Sequence, residues 1–332
     1  MATTQIAPAT APATVSQSPR FETVLGPDDR FRVTGVEGHP WDSIGKITVS
    51  APGGTFVGTG AMVSPFHILT AAHVLENPGF GGDGRALSAQ IALGKSGNEE
   101  PYGRAEMVSY RVLPGWSDGY DLGQDMALIT LDRSVGNTTG WFDFDVRTDV
   151  DFYDGVPVSL AGYPVDLSQG RDLYLATGAI AQGTEERFYY GERLDTAGGM
   201  SGAPIWQNLG AGNRKLIGVH STGVADPDAP GALNGGTRLT EEKRILIEEW
   251  IGADEIDALP NDRADLADYD RHFESATATI SKTLFSPGEE ISIEASVYNL
   301  GTATATPVEV TVYLSTNPVI SGFDTALGTV TL

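Results

Sequence analysis

From Gly45 onward the chain is a series of short β-branched and apolar runs, each broken by Gly, Pro, Asn or Asp. This punctuation restricts the fold more than any other feature. "KITVS", "TFVGTGAMVS", "AQIALG", "AEMVSYRVL", "MALITL", "PVSLAGY", "LYLATGAIA", "RFYYGERL", "APIW" and "KLIGVHS" all have strand character. Short strands at such close spacing predict an all-β barrel or sandwich. One helix follows them. Thr240 can cap it, Glu241 and Glu242 suit its positive end, Ile245, Leu246, Trp250 and Ile251 recur on one face, and Gly252 can end it. A closing amphipathic helix puts a domain boundary near residue 253.

The flanks read differently. Residues 1–23 are rich in Ala, Thr and Pro and predict a disordered leader or propeptide, without the basic-then-apolar signature of a signal peptide. Residues 254–274 are acidic and polar. Their cluster of Asp262, Asp265, Asp268 and Asp270 fits no EF-hand loop and reads as a solvated linker, although a calcium site is conceivable. In 275–332 the alternation resumes, through Ile291, Ile293, Ala295 and Val297, then Val308, Val310, Val312 and Leu314. An immunoglobulin-like sandwich needs about seven strands and only three or four fit, so this module is expected to be truncated.

Composition narrows the function. A formal charge of −23 over 332 residues argues against nucleic acid, which needs a basic face. No apolar run approaches the roughly 20 residues of a membrane span. With no cysteine, disulfides and thiolate metal sites are excluded.

Within this frame "DTAGGMSGAPIW" (195–206) gathers glycines around one hydroxyl, Ser201, where strand-like sequence breaks off. Glycine weakens a strand, so another demand must favour it there. Two further stretches offer partners. "HILTAAHVL" sets His73 where an apolar strand ends, and "GQDMALITL" sets Asp125 just before another. Asp118 and Asp121 lie nearby, but Asp125 abuts "MALITL" and would be held rigidly. The order His, Asp, Ser is that of the chymotrypsin-type triad, whereas an α/β-hydrolase would run Ser, Asp, His. A serine hydroxyl needs a base to take its proton, which His73 would supply, and a carboxylate to orient that base, which Asp125 would supply. Gly198 and Gly199 allow a tight turn that aims the N–H groups of Gly199 and Ser201 at an oxyanion.

The segment from about Val24 to Ile251 resembles the glutamyl endopeptidases of the staphylococcal V8 type, a branch of the chymotrypsin-like serine proteases. "GPDDRFRVT", "GTFVGTGAMVS", "LTAAHVL", "DMALITL", "LAGYPVD", "LDTAGGMSGAPIW" and "LIGVHSTG" carry the resemblance. It implies a trypsin-like serine protease domain over 24–253, built as two six-stranded β-barrels with a C-terminal helix. It implies the triad His73, Asp125 and Ser201, the oxyanion hole at Gly199 and Ser201, and no cofactor or metal. The V8 type carries Asn before the nucleophile, where this chain has Met200. The last fifty or so residues resemble a CARDB-like β-sandwich, through "VYNLGTATATPVEVTVYLS".

By the same resemblance Thr196 and His220 would hold a glutamate side chain before the cut bond. A mature N-terminal amine would assist, and cleavage after Glu22 would free one at Thr23. Asp195 stands six residues before Ser201, where a Lys- or Arg-specific enzyme would carry an acid, so that specificity is an open alternative. The expectation is an extracellular or cell-surface monomer acting on proteins or peptides, with attachment through the C-terminal module. An inactive protease fold that serves as a binding scaffold is the alternative from another class.

Overall fold

The computed structural model describes residues 23–254, apart from Glu192, Ala211, Ala225, Pro227, Asp228 and Pro230. Beyond these it describes 266–267, 278–280, 292–295, 298–299, 307–314 and 325–331. The expected leader up to Glu22 and most of the expected linker lie outside the described residues, whereas Thr23, its last expected residue, is described.

A two-residue strand, β1 (Phe31–Arg32), precedes the first barrel. That barrel is formed by β2 (Ile44–Ala51), β3 (Gly54–Met62), β4 (His67–Thr70), β5 (Ser88–Leu93), β6 (Ala105–Val112) and β7 (Ala127–Leu131). It closes in the order β2-β3-β4-β7-β6-β5. Alternation along β2 explains the closure. Ile47, Val49 and Ala51 point inward and are buried, while Lys46, Thr48 and Ser50 point out. Ile68, Ile91, Ile129 and Leu131 complete the interior.

The second half contains β8 (Asp143–Phe144), β9 (Pro157–Gly162), β10 (Tyr174–Ala179), β11 (Gln182–Gly183), β12 (Arg187–Tyr190), β13 (Pro204–Asn208), β14 (Arg214–Thr222) and β15 (Asn234–Arg238). They form a nine-stranded sheet with β1, in the order β1-β10-β9-β13-β14-β15-β12-β11, with β8 beside β14. The expected second barrel of six strands is therefore extended by short edge strands. No ladder joins β1 to β11 among the described residues. Its core is built from Leu160, Phe188, Tyr190, Met200, Ile205 and Ile217. A separate apolar cluster, including Ile44, Leu69, Leu128, Tyr163, Trp206 and Val219, joins the two halves.

Strand β15 was not expected from "NGGTR". Its glycines answer to space. A Cβ on Gly236 would lie 2.5 Å from Ile205 Cδ1 and 2.8 Å from the Val219 carbonyl oxygen.

The helix spans Glu241–Ala253, with the Thr240 hydroxyl accepting from the Lys243 N–H. Gly252 lies within the last turn instead of ending it. Its buried stripe also differs from the expected one: Ile247 is buried and Ile245 is exposed, because Lys243, Leu246, Ile247, Trp250 and Ile251 share the i, i+3, i+4 face. The expected boundary near 253 falls one residue short of Asp254. That carboxylate is bonded to His67 Nε2 (2.8 Å), Thr130 Oγ1 (2.6 Å) and Arg111 Nη2 (2.5 Å), tying the helix end to the first barrel.

Toward the C-terminus the described residues form three separate antiparallel pairs: Leu266–Ala267 with Tyr298–Asn299, Ala278–Ile280 with Ile293–Ala295, and Glu309–Leu314 with Thr325–Thr331. The alternating pattern does become antiparallel ladders. Thr325–Thr331 is exposed along its whole length, so the described residues contain no second sheet packed on it as a sandwich requires. Leu266 and Ala267, expected in the linker, form a strand.

Candidate active site

Strand pairing gathers the three residues. β4 and β7 are antiparallel neighbours, with Thr70 opposite Ala127. The chain leaves β4 into a single 3₁₀ turn, Ala72–Val74, that carries His73. It enters β7 from another, Leu122–Gln124, that ends at Asp125. The Asp121 side chain caps that turn by accepting from the Gly123 N–H, which removes it from competition with Asp125. Ser201 arrives from the other half, in the loop before β13.

The Ser201 hydroxyl lies 2.6 Å from His73 Nε2, and His73 Nδ1 lies 2.7 Å from Asp125 Oδ2. Asp125 Oδ1 accepts from the His73 backbone N–H at 2.9 Å, so one carboxylate holds both the ring and its backbone. Ser221 Oγ donates to Asp125 Oδ2 at 2.6 Å. Sequence reasoning missed Ser221, although it adjoins His220 in "GVHSTG". All three central side chains are nearly enclosed, at 4% exposure for His73, 0% for Asp125 and 7% for Ser201. In this geometry an imidazole can accept a proton from the hydroxyl while the carboxylate fixes its tautomer.

The glycine loop is held from several sides. Gly199 has φ +97°, and a Cβ there would lie 2.4 Å from the Tyr163 carbonyl oxygen. The Thr59 hydroxyl donates to the Gly199 carbonyl (2.7 Å), the Thr59 N–H to that of Ser201 (2.8 Å) and the Val165 N–H to that of Gly198 (2.7 Å). With its flanking carbonyls turned away, the Gly199 N–H has no protein acceptor among the described residues. Met200 is buried in the core. Arg30 Nη1 lies 3.9 Å from its sulfur, and the Arg30 guanidinium pairs with Asp28 (2.9 Å) and Asp166 (2.6 Å). An N-terminal ion cluster thus braces the loop at the residue where the V8 type carries Asn.

Of the expected pocket residues, Thr196 and His220 are both fully buried. The Tyr190 hydroxyl lies 2.5 Å from His220 Nδ1. Burial, aided by the nearby His73, pushes the His220 pKa down to about 3, against the opposing pull of Asp125. The imidazole is therefore held neutral at ordinary pH and would meet a carboxylate as a hydrogen-bond donor, not as a charge. The Thr196 hydroxyl is buried without a hydrogen-bond partner among the described residues. The Thr196 N–H and the Asn234 side-chain amide both donate to the Thr23 carbonyl, at 3.4 and 2.8 Å. Asp195 is fully buried, its two oxygens accepting from the Leu25 N–H (2.7 Å) and the Asp29 N–H (2.9 Å).

His220 has a consequence for stability. Between pH 6.5 and 3 the unfolded chain binds a proton at this residue that the folded chain refuses. Its contribution is complete above 6.5 and declines as pH falls toward 3, by up to about 1.4 kcal/mol per pH unit. His67, also pushed down by burial, acts in the same direction. Melting temperatures taken from pH 7.5 down to 4 should fall less steeply for His220→Gln than for the parent. Equal slopes would contradict this account.

A six-stranded barrel packed on a second β half, with a closing helix and this constellation between them, defines the chymotrypsin-like fold. The trypsin family model matches residues 34–242. The chain is 30% identical to the glutamyl endopeptidase of Bacillus licheniformis over 73% of this chain and 72% of the relative. It is 27% identical to a Bacillus subtilis protein named extracellular metalloprotease, over 68% of this chain and 69% of the relative. Among solved structures, a Glu endopeptidase in complex with MPD superposes with a TM-score of 0.60 at 25% identity, covering 69% of this chain and 99% of that one. The chain belongs to the trypsin family and is a serine endopeptidase.

Proposed function

We propose that this enzyme cleaves peptide bonds after glutamate through an acyl-enzyme on Ser201. His73 takes the hydroxyl proton as Ser201 attacks the carbonyl and returns it to the leaving amine. Asp125, bonded to Ser221, keeps hydrogen on Nδ1 and stabilises the imidazolium. The Gly199 and Ser201 N–H groups receive the oxyanion.

The state of the pocket residues supports glutamate. A buried hydroxyl left unpaired costs about 1–3 kcal/mol, a cost the Thr196 hydroxyl recovers by donating to a carboxylate. In the tautomer with hydrogen on Nε2, which Tyr190 donation to Nδ1 would favour, His220 would add a second donor. The Thr196 hydroxyl, buried without a hydrogen-bond partner among the described residues, is the observation that carries the reading. Lys or Arg specificity through Asp195 lacks such support, because both its oxygens are already engaged by backbone N–H groups. The names of the glutamyl relatives agree with the assignment. A panel of peptides differing only before the cut bond tests it. Extracellular action belongs to the same proposal and agrees with the name of the Bacillus subtilis relative. No described helix is long and apolar enough to cross a membrane.

Thr23 lies where a new N-terminus would reach the pocket, its carbonyl bonded by Thr196 and Asn234 and its hydroxyl donating to the Val224 carbonyl (2.9 Å). The Asn234 Oδ1 atom is buried without a partner among the described residues, an acceptor suited to an ammonium. N-terminal sequencing of fully active enzyme should therefore begin at Thr23. An intact Met1 on fully active material would overturn this assignment.

A further inference from the structure

The outer face of the first barrel carries a cationic cleft that this mechanism does not use. Lys46, Lys95, Arg104 and Arg171 line a depression of about 220 Å³. One lining carboxylate, Glu100, serves Lys95 (2.8 Å) and Arg104 (2.6 Å) together and is held at a pKa of about 2, chiefly by Arg104. The Lys46 ammonium, on the outer side of β2, makes no ion pair or hydrogen bond among the described residues. Among the described residues the Arg171 guanidinium donates only to the Ser168 carbonyl, at 3.1 Å. Four cations around one anion is a costly arrangement, and an unexpected one in a chain whose net charge is −23. Burial, with Lys95 and Arg104 nearby, pushes the Lys46 ammonium below its ordinary pKa, a penalty that an incoming anion would relieve.

The cleft adjoins the nucleophile. Lys46 stands opposite Thr59 in the β2–β3 ladder, and Thr59 is the residue whose N–H and hydroxyl hold the Ser201 and Gly199 carbonyls. Paired Cα atoms lie about 5 Å apart, which puts the Lys46 backbone on the order of 10 Å from that of Ser201. The lysine side chain reaches on toward Gly170, where a Cβ would stand 3.5 Å from Nζ and 3.3 Å from Val57. Thr196 and His220 lie in the other half, toward β14 and β15.

We propose that this cleft binds an acidic side chain of the substrate two or three residues beyond the cut bond, on the leaving-group side. The direction rests on the pocket assignment at Thr196 and His220. An extended chain advances about 3.3 Å per residue, enough for such a side chain to span the gap from Ser201. The chemistry recognised is a carboxylate held by Lys46 and Arg171. A free phosphate would satisfy the same groups.

The test uses peptides identical up to the cut, carrying whichever residue the enzyme prefers there, followed at the second and third positions by Asp-Glu or by Asn-Gln. The acid-to-amide ratio of kcat/KM is the readout. It should be about 10 for the parent at low salt. It should approach one in Lys46→Gln/Arg171→Gln, and also at 1 M salt, where the screening length falls to about 3 Å. Turnover of the amide peptide by the variant reports whether its active site has folded. A ratio near one in the parent, or an equal ratio in parent and variant, overturns the proposal. Inorganic phosphate should slow the acid peptide more than the amide one. If phosphate binds in a Lys46-dependent way while the ratio stays near one, the cleft serves a free anion and the substrate claim falls. Failure of the glutamate reading would show only in the residue preferred before the cut, leaving this ratio measurable.

Discussion

Ser201→Ala should abolish peptide hydrolysis, lowering kcat by a factor on the order of 10,000 to 1,000,000, while the protein stays folded. The Ser201 Oγ atom lies against His73 Nε2, at 2.6 Å, two residues along the chain from Gly199, whose N–H has no protein acceptor among the described residues. Its loss removes the covalent route, and what survives is stabilisation of a directly attacking water by the oxyanion donors. The fold should tolerate the change, because the serine backbone is fixed independently through Thr59. Asp125→Asn makes a sharper companion. An amide can present its NH₂ to Nδ1 and hold the wrong tautomer, at a cost of about 10,000-fold in kcat with little change in KM. Active-site labelling with a fluorophosphonate should follow the same pattern, present in the parent and absent in Ser201→Ala. Well-folded parent protein that neither hydrolyses nor labels would sink the assignment.

The second large effect concerns the residue before the cut bond. Across peptides ending in Glu, Asp, Gln, Lys, Arg or Phe at that position, Glu should give the highest kcat/KM. Each hydrogen bond to a charged group contributes about 1.5–3 kcal/mol. Thr196→Val and His220→Leu should therefore each lower kcat/KM for the Glu peptide by about 10- to 100-fold and narrow its advantage over Gln. Burial holds His220 neutral in the free enzyme, so the preference for Glu should not strengthen as pH falls from 8 to 6. Asp195 separates the two specificities. If it selected basic residues, Asp195→Ala would remove Lys and Arg cleavage selectively. Because it instead anchors Leu25 and Asp29, its loss should release the N-terminal segment and weaken Glu cleavage together with thermal stability. A parent enzyme that prefers Lys or Arg would reject the glutamate reading outright.

Several of these features were legible in the residues. Strand runs such as "MALITL" and "TFVGTGAMVS" became β7 and β3, because a β-branched or apolar run between turn residues has few other low-energy states. His73 and Asp125 stood out because each adjoins an apolar run, and the pairing of β4 with β7 sets these two strand ends side by side. Strand β15 could not, since "NGGTR" has no strand signal and its glycines are required by neighbours distant in sequence. The burial of Ile247 in place of Ile245 depended on which arc of the helix faced the core.

Local sequence determined which segments would be strands, where the chain could turn tightly, and which side chains were chemically able to act, because these depend on neighbours a few residues apart. Tertiary structure alone decided what each polar group faces. Asp195 was occupied by the N-terminal segment, Ser221 was directed onto Asp125, His220 was buried and held neutral, and the Lys46 ammonium was left without an ion-pair partner among the described residues. Each outcome depends on groups far away in the chain, and the free energy of a buried polar or charged atom is governed by the partners that packing brings to it.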